Sequence, residues 1–234
     1  MIRAVLTLLA ALGFAAAPFF WSFDGFETNQ LPIPQTDPPA QPAGWAFSIW
    51  GPIYAWLVVS ALWGLWAHRQ DAWWDAVRAP LIASLAIGVP WLWIATQSAV
   101  WATLAIVAMA GFAIAALLRA PRDDRSRWTL RAPVALYAGW LTAASWVSIA
   151  ATLAGYGIGP DSYGWAFVAI AAAALIAWAV QSRTPEWTYG LAVGWALLGI
   201  AVKNGPALPL VTAAALAALL LIALRAAQSA RRAA

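Results

Sequence analysis

Apolar residues in this chain run in long unbroken stretches that recur from one end to the other. A helix needs about 20 such residues to cross a hydrocarbon layer roughly 30 Å thick. Eight stretches meet or approach that length: 4–21, 45–67, 80–97, 99–118, 131–155, 164–181, 188–203 and 206–226. Membrane strands would instead read as short alternating segments, and the chain has too few. Backbone groups in lipid must bond within their own segment, so helices are predicted throughout. The expected fold class is all-α: a polytopic transmembrane helix bundle of about eight helices, forming a single transmembrane domain over 1–234.

The segments between the stretches differ in character. Residues 22–44 carry Pro32, Pro34, Pro38, Pro39 and Pro42 and should be extended, because proline nitrogens donate no hydrogen bond. This is a stiff linker or a lid over an outward-facing hollow. Residues 119–131 hold five arginines with Asp123 and Asp124, and read as a solvated turn that fixes topology, with anionic headgroups as a second use. The first stretch has a competing reading as a signal peptide, since Arg3, an apolar run and Ala15-Ala16-Ala17 fit one. Residues 85–98 align without gaps on 191–204 with six of fourteen identities, and Gly44-Trp45-Ala46-Phe47 returns as Gly164-Trp165-Ala166-Phe167. Two parallel four-helix halves would produce that echo.

Composition sharpens the picture. The chain is 64% apolar and 9% charged, which no water-soluble fold of this length can hide. Cysteine is absent, so disulfide and thiolate chemistry are excluded. A net charge of +4 could point to nucleic acid, but the basic residues sit in short loops. With both termini in the cytoplasm, all twelve arginines fall on the cytoplasmic side and Lys203 alone falls opposite. That is a strong positive-inside bias. The expected location is a bacterial plasma membrane, with membrane lipids as partners and no nucleic acid.

No Asp or Glu lies within an apolar core segment, and the one histidine, His68, stands at a helix end. Buried acid–base chemistry and metal binding therefore have no residues to build on, and no catalysis or cofactor is expected. Lys203, the only lysine, invites a retinal Schiff base. It lies near the boundary with no carboxylate on the third helix, and reads better as a snorkelling anchor.

The eighteen tryptophans remain. Those near helix ends (Trp21, Trp73, Trp74, Trp128, Trp187) should form interfacial belts. Trp50, Trp93 and Trp140, nearer mid-span, should face the bundle interior. Trp45, Phe47, Trp50 and Tyr54 on the second helix, Trp91 beside Pro90, Gln97 at a hairpin tip, and Tyr137, Trp140 and Ser148 on the fifth helix are the candidate ligand-binding residues. A π-rich hollow with a few hydroxyls and amides suits a flat apolar ligand with polar edges. Small residues at 143–155 and 170–175 suit tight helix packing or a homodimer.

The stretch Pro42-Ala43-Gly44-Trp45-Ala46-Phe47-Ser48-Ile49-Trp50-Gly51-Pro52-Ile53-Tyr54 resembles the second-helix signature of the TspO/MBR family (tryptophan-rich sensory proteins, peripheral benzodiazepine receptor-like). It is closest in pattern to the long eight-helix bacterial branch. Residues 136–144 and 195–203 resemble that branch's fifth and seventh helices. The chain departs from the short members in a Phe47-to-Trp50 spacing one residue shorter. It also carries Ser148 where an Asn is usual. The resemblance implies a five-helix core over 1–155 with three further helices over 156–234. It also implies porphyrin, other tetrapyrrole or sterol-like ligands held beneath the first external loop.

The expected function is a non-catalytic membrane receptor or carrier for a small apolar ligand, with a tetrapyrrole as ligand rather than cofactor. A transporter built from two four-helix repeats is the first alternative. A membrane enzyme acting on lipid or pigment is the second.

Overall fold

The computed structural model describes all residues but 24, 28, 123, 124, 185 and 234, with side chains described up to 228. Its elements are eight α-helices in chain order: α1 Ile2–Ala16, α2 Trp50–Trp66, α3 Ala72–Gln97, α4 Ala99–Arg119, α5 Ala132–Gly155, α6 Ser162–Arg183, α7 Thr188–Asn204 and α8 Pro209–Ala233. Short stretches of other pitch lead into two of them. A 3₁₀ stretch, Gly44–Ile49, precedes α2, and a π-turn, Arg127–Arg131, precedes α5. Seven helical segments are long and apolar enough to cross a membrane; α7, at 17 residues, is shorter. Large apolar side chains such as Leu175, Leu191, Leu210 and Leu220 point outward, as lipid-facing positions should.

Polar residues mark where the helices start. Asp71 accepts hydrogen bonds from the amides of Trp73 and Trp74, so α3 begins eight residues earlier than the apolar run suggests. The helix then continues through Pro80 and Pro90. Burial works to raise the Asp71 carboxyl, but the two amide bonds and His68 outweigh it and hold it below the usual carboxylate range. Ser98 and Asp161 cap α4 and α6 in the same way. Arg78, almost wholly buried, closes the other end of α2 by donating to the carbonyls of Gly64 and His68 at 2.9 and 2.8 Å.

The core centres on α5, nearly all of whose residues are buried. It touches α7 at backbone distance, because Gly139 leaves the space against the Tyr189 carbonyl open. The Thr142 and Tyr189 hydroxyls bond at 2.5 Å across the same crossing. On the α4 side, Thr103 and Thr152 share a bond at 2.8 Å, and Ser145 donates to the Ile106 carbonyl at 3.2 Å. Interhelical bonds of this kind are worth about 0.6 kcal/mol each in lipid. They fix register more than they stabilise.

The arginine-rich turns gather at one end of the bundle. Arg3 pairs with Asp75, the Trp56 indole donates to the Trp128 carbonyl at 2.9 Å, and Arg122 donates to the Arg183 carbonyl at 2.9 Å. Glu186 is fully buried there. One of its oxygens accepts from Arg131 at 3.1 Å and the other from the Thr188 hydroxyl at 3.2 Å. Arg127 Nε lies 3.4 Å from the Arg131-bound oxygen, outside hydrogen-bond geometry, and adds charge attraction alone.

Three tryptophans depart from expectation: Trp21, expected in a belt, lines the hollow described below, and two helical ones take the other face. Trp74 is not in a belt: it is 2% exposed, stacked on His68 with ring centres 4.6 Å apart, over the space that Gly64 leaves. Trp93 is not interior: it is 51% exposed on the outer face of α3. The helix's rotation decided which face each of them took.

Candidate functional site

A cavity of about 480 Å³ opens at the end of the bundle away from the arginine-rich turns, beneath residues 21–44. The 3₁₀ stretch before α2 builds one wall. Residues three apart eclipse in that geometry, so Gly44, Phe47 and Trp50 fall in line and all three face the hollow. Tyr54 follows one α-helical turn deeper, stacked on Trp50 at 5.3 Å and 14°. Trp140 of α5 closes the opposite wall, its ring edge-on to Trp50 at 6.0 Å and to Phe47 at 5.8 Å. Ser148 and a run of small α5 residues (Ala143, Ala144, Ala151) complete that side. Trp91 is fixed by its indole bond to the Ala102 carbonyl at 2.9 Å.

Six of the nine sequence-expected residues thus meet at the cavity: Phe47, Trp50, Tyr54, Trp91, Trp140 and Ser148. Three do not. Trp45 sits off the eclipsed row and packs edge-on against Trp195 at 4.9 Å, half exposed on the outer surface. Gln97 is exposed at the α3–α4 turn and bonds its neighbour Thr96. Tyr137 is fully buried behind Phe14, with its hydroxyl 2.9 Å from that of Ser84. It supports the wall without forming it.

Several lining residues escaped the sequence reading. Phe14 of α1 lies edge-on to Trp50, Tyr54 and Tyr137 at 5.0 to 5.7 Å and forms the floor. Trp21, Phe23 and Phe26 line the hollow from the connecting segment, with Phe23 edge-on to Trp91 at 5.3 Å. A helical spacing of four links Phe14 to Pro18, also in the lining. The loop aromatics carry no periodic signal.

The segment covering the cavity is tied down on three helices. Gln30 donates to the Ala95 carbonyl of α3 at 3.0 Å. The Ile33 amide donates to the Gly155 carbonyl of α5 at 2.8 Å, and Leu31 fills the space beside Gly155. The C-terminal end of α7 holds the rest. Lys203 is 2.6 Å from the Asp37 carboxylate and donates to the Pro38 carbonyl at 2.9 Å, while Asn204 donates to the Pro39 carbonyl at 2.9 Å. The Ala43 amide reaches the Gly199 carbonyl at 3.1 Å, where Pro42 and Ala46 sit close because Gly199 has no side chain. Lys203 is therefore a tether for the cover, not a snorkelling anchor.

The chemistry of the hollow is that of a binding site. Its described lining is aromatic, alkyl, hydroxyl and amide, and holds no ionisable carboxylate, imidazole or ammonium group. Several polar groups of the lining are unspent, two of them central to the wall. Tyr54 has no hydrogen-bond partner among the described residues, and the buried Trp140 indole N–H has no acceptor.

Neither a curated protein nor a solved structure matches this chain. A family model does: the one described as TSPO-like protein matches residues 2–227, from the first turn of α1 into α8. With a helical bundle built to cross a membrane and a match over nearly its whole length, the chain is an integral membrane protein that belongs to the TSPO-like family.

Proposed function

We propose that this protein is a non-catalytic receptor or carrier that takes a flat apolar ligand, of tetrapyrrole or sterol type, into the aromatic cavity beneath residues 21–44. The observation that carries this reading is the hollow itself: about 480 Å³, walled by rings on five different segments and roofed by a proline-stiffened strap. Ring faces and edges supply contact area at low entropic cost.

Titration in nanodiscs with protoporphyrin IX, its dimethyl ester, haem and cholesterol, followed by tryptophan fluorescence, tests it. At least one probe should quench saturably. Trp50→Leu and Trp140→Leu should each weaken that binding about tenfold or more, since a fully buried aromatic contributes 1.5–3 kcal/mol. Trp187→Leu should leave it unchanged, because Trp187 packs on Trp128 at the far end of the bundle. No quenching by any of the four would reject the reading.

A second reading, a transporter, draws on a packing pattern. In the first half α1 packs on α2 and α3, and α3 on α4; in the second α5 packs on α6 and α7, and α7 on α8. The halves differ in that α6 also packs on α8, with no comparable α2–α4 interface. Flux of a bound probe through proteoliposomes separates carrier from receptor.

The arginine-rich end is assigned to the cytoplasm of a bacterial plasma membrane, on the positive-inside bias. The chain has no cysteine, so single replacements report cleanly. Asn29→Cys should react with an impermeant maleimide in right-side-out vesicles, and Arg69→Cys only after permeabilisation. The reverse pattern would invert the topology.

A further inference from the structure

We propose that the cavity selects an uncharged ligand bearing a hydrogen-bond acceptor, which the Tyr54 hydroxyl engages near the floor. This rests on the binding reading above and narrows its ligand class.

Three observations lead there. The described lining offers an entering carboxylate no cation, only neutral donors such as the hydroxyls of Ser22, Tyr54 and Ser148, the Gln41 amide and the Trp21 and Trp50 indoles. A carboxylate moved from water into such surroundings loses its hydration without a countercharge. The mouth does not supply one either. Lys203 is the only basic residue that the sequence places at that end, and it is already engaged by Asp37 and the Pro38 carbonyl. The connecting segments there carry four acids, Asp24, Glu27, Asp37 and Asp161, against that single lysine, a formal balance of −3. An anion is therefore repelled on approach as well as unpaired on arrival.

The third observation concerns the floor. Tyr54 lines the hollow, its ring is held by the Trp50 stack and the Phe14 edge, and its hydroxyl has no protein partner. A half-buried hydroxyl without a protein partner takes its acceptor from whatever fills the hollow. A carbonyl, ether or ester oxygen on the ligand meets that need without bringing charge. A cation fares no better inside, because the described lining holds no carboxylate and a positive group would be buried there without a countercharge.

The experiment compares three forms of one ring system at pH 8 in zwitterionic nanodiscs, with empty discs subtracted. They are protoporphyrin IX as its dicarboxylate, its dimethyl ester, and a diester bearing trimethylammonium groups. The dimethyl ester should bind at least about 100-fold more tightly than the dicarboxylate, given several kcal/mol for an unpaired buried charge. It should also bind more tightly than the cationic diester. Tyr54→Phe keeps the ring contacts and should weaken the dimethyl ester by about 3- to 10-fold, the range for one hydrogen bond. Dicarboxylate binding within about threefold of the ester, stronger binding of the cation, or an unchanged Tyr54→Phe would each overturn the inference while leaving the binding reading intact. Failure of all three, and of cholesterol, would remove both.

Discussion

Glu186→Gln should cost the fold about 3 kcal/mol, the lower end of what breaking a buried ion pair removes. The carboxylate is fully buried and bonds Arg131, itself 1% exposed, at 3.1 Å. The amide keeps the shape but withdraws the charge that both Arg127 and Arg131 face. Because Glu186 also accepts from the Thr188 hydroxyl and lies near the Thr188 amide, the start of α7 loosens with it. Equilibrium unfolding in mixed micelles, read by tryptophan fluorescence, checks this against Glu27→Gln, which sits on the exposed cover and should be neutral. A Glu186→Gln protein within about 1 kcal/mol of wild type would show that the pair's attraction is cancelled by its desolvation.

The second large effect is expected at Gly139. A methyl there would be driven onto the Tyr189 carbonyl oxygen and to within 3.0 Å of the Ala192 Cβ. Backbone cannot rotate aside as a side chain can, so α5 and α7 must separate. Overpacking of this kind costs about 1–3 kcal/mol, set against a helix-propensity gain of up to about 1 kcal/mol for Gly→Ala. With overpacking at the upper end of that range, because backbone blocks the methyl, Gly139→Ala should be destabilised by ~2 kcal/mol. It should also bind cavity ligands more weakly, because Trp140 is the next residue on the displaced helix. Gly111→Ala, with nothing within 4 Å of its added methyl, supplies the propensity gain alone and should be neutral or slightly stabilised. Equal stability of the two variants would mean that the α5–α7 crossing has room to spare.

The bundle was legible in the sequence because lipid imposes one demand on every span: a long apolar run with its hydrogen bonds closed internally. All eight runs correspond to helices. Their ends were less legible, since polar caps and not hydropathy set them. Asp71 carries α3 past a proline that the apolar pattern treats as lying near its start. The cavity was legible where a helical period organised it. Phe47, Trp50 and Tyr54 share a face, but Trp45 within the same motif does not, because the 3₁₀ pitch turns it outward. Rings contributed by the connecting segment follow no period, and their approach to the hollow is decided by tertiary ties. Glu186 was missed for a related reason. A carboxylate in a short loop reads as solvated until the guanidinium groups arriving from another part of the chain are known.

The way the cover is fastened has a consequence for how far the molecule can be shortened. A chain ending at Gly155 would still contain Phe14, Trp50, Tyr54, Trp91 and Trp140, and the strap would keep its bonds to Ala95 and Gly155 itself. Yet the stretch from Asp37 to Ala43 would lose its holds on Lys203, Asn204 and Gly199, and the wall would lose Ala196. The last three helices are therefore no appendage: they carry the fastening that decides how readily the entrance swings free.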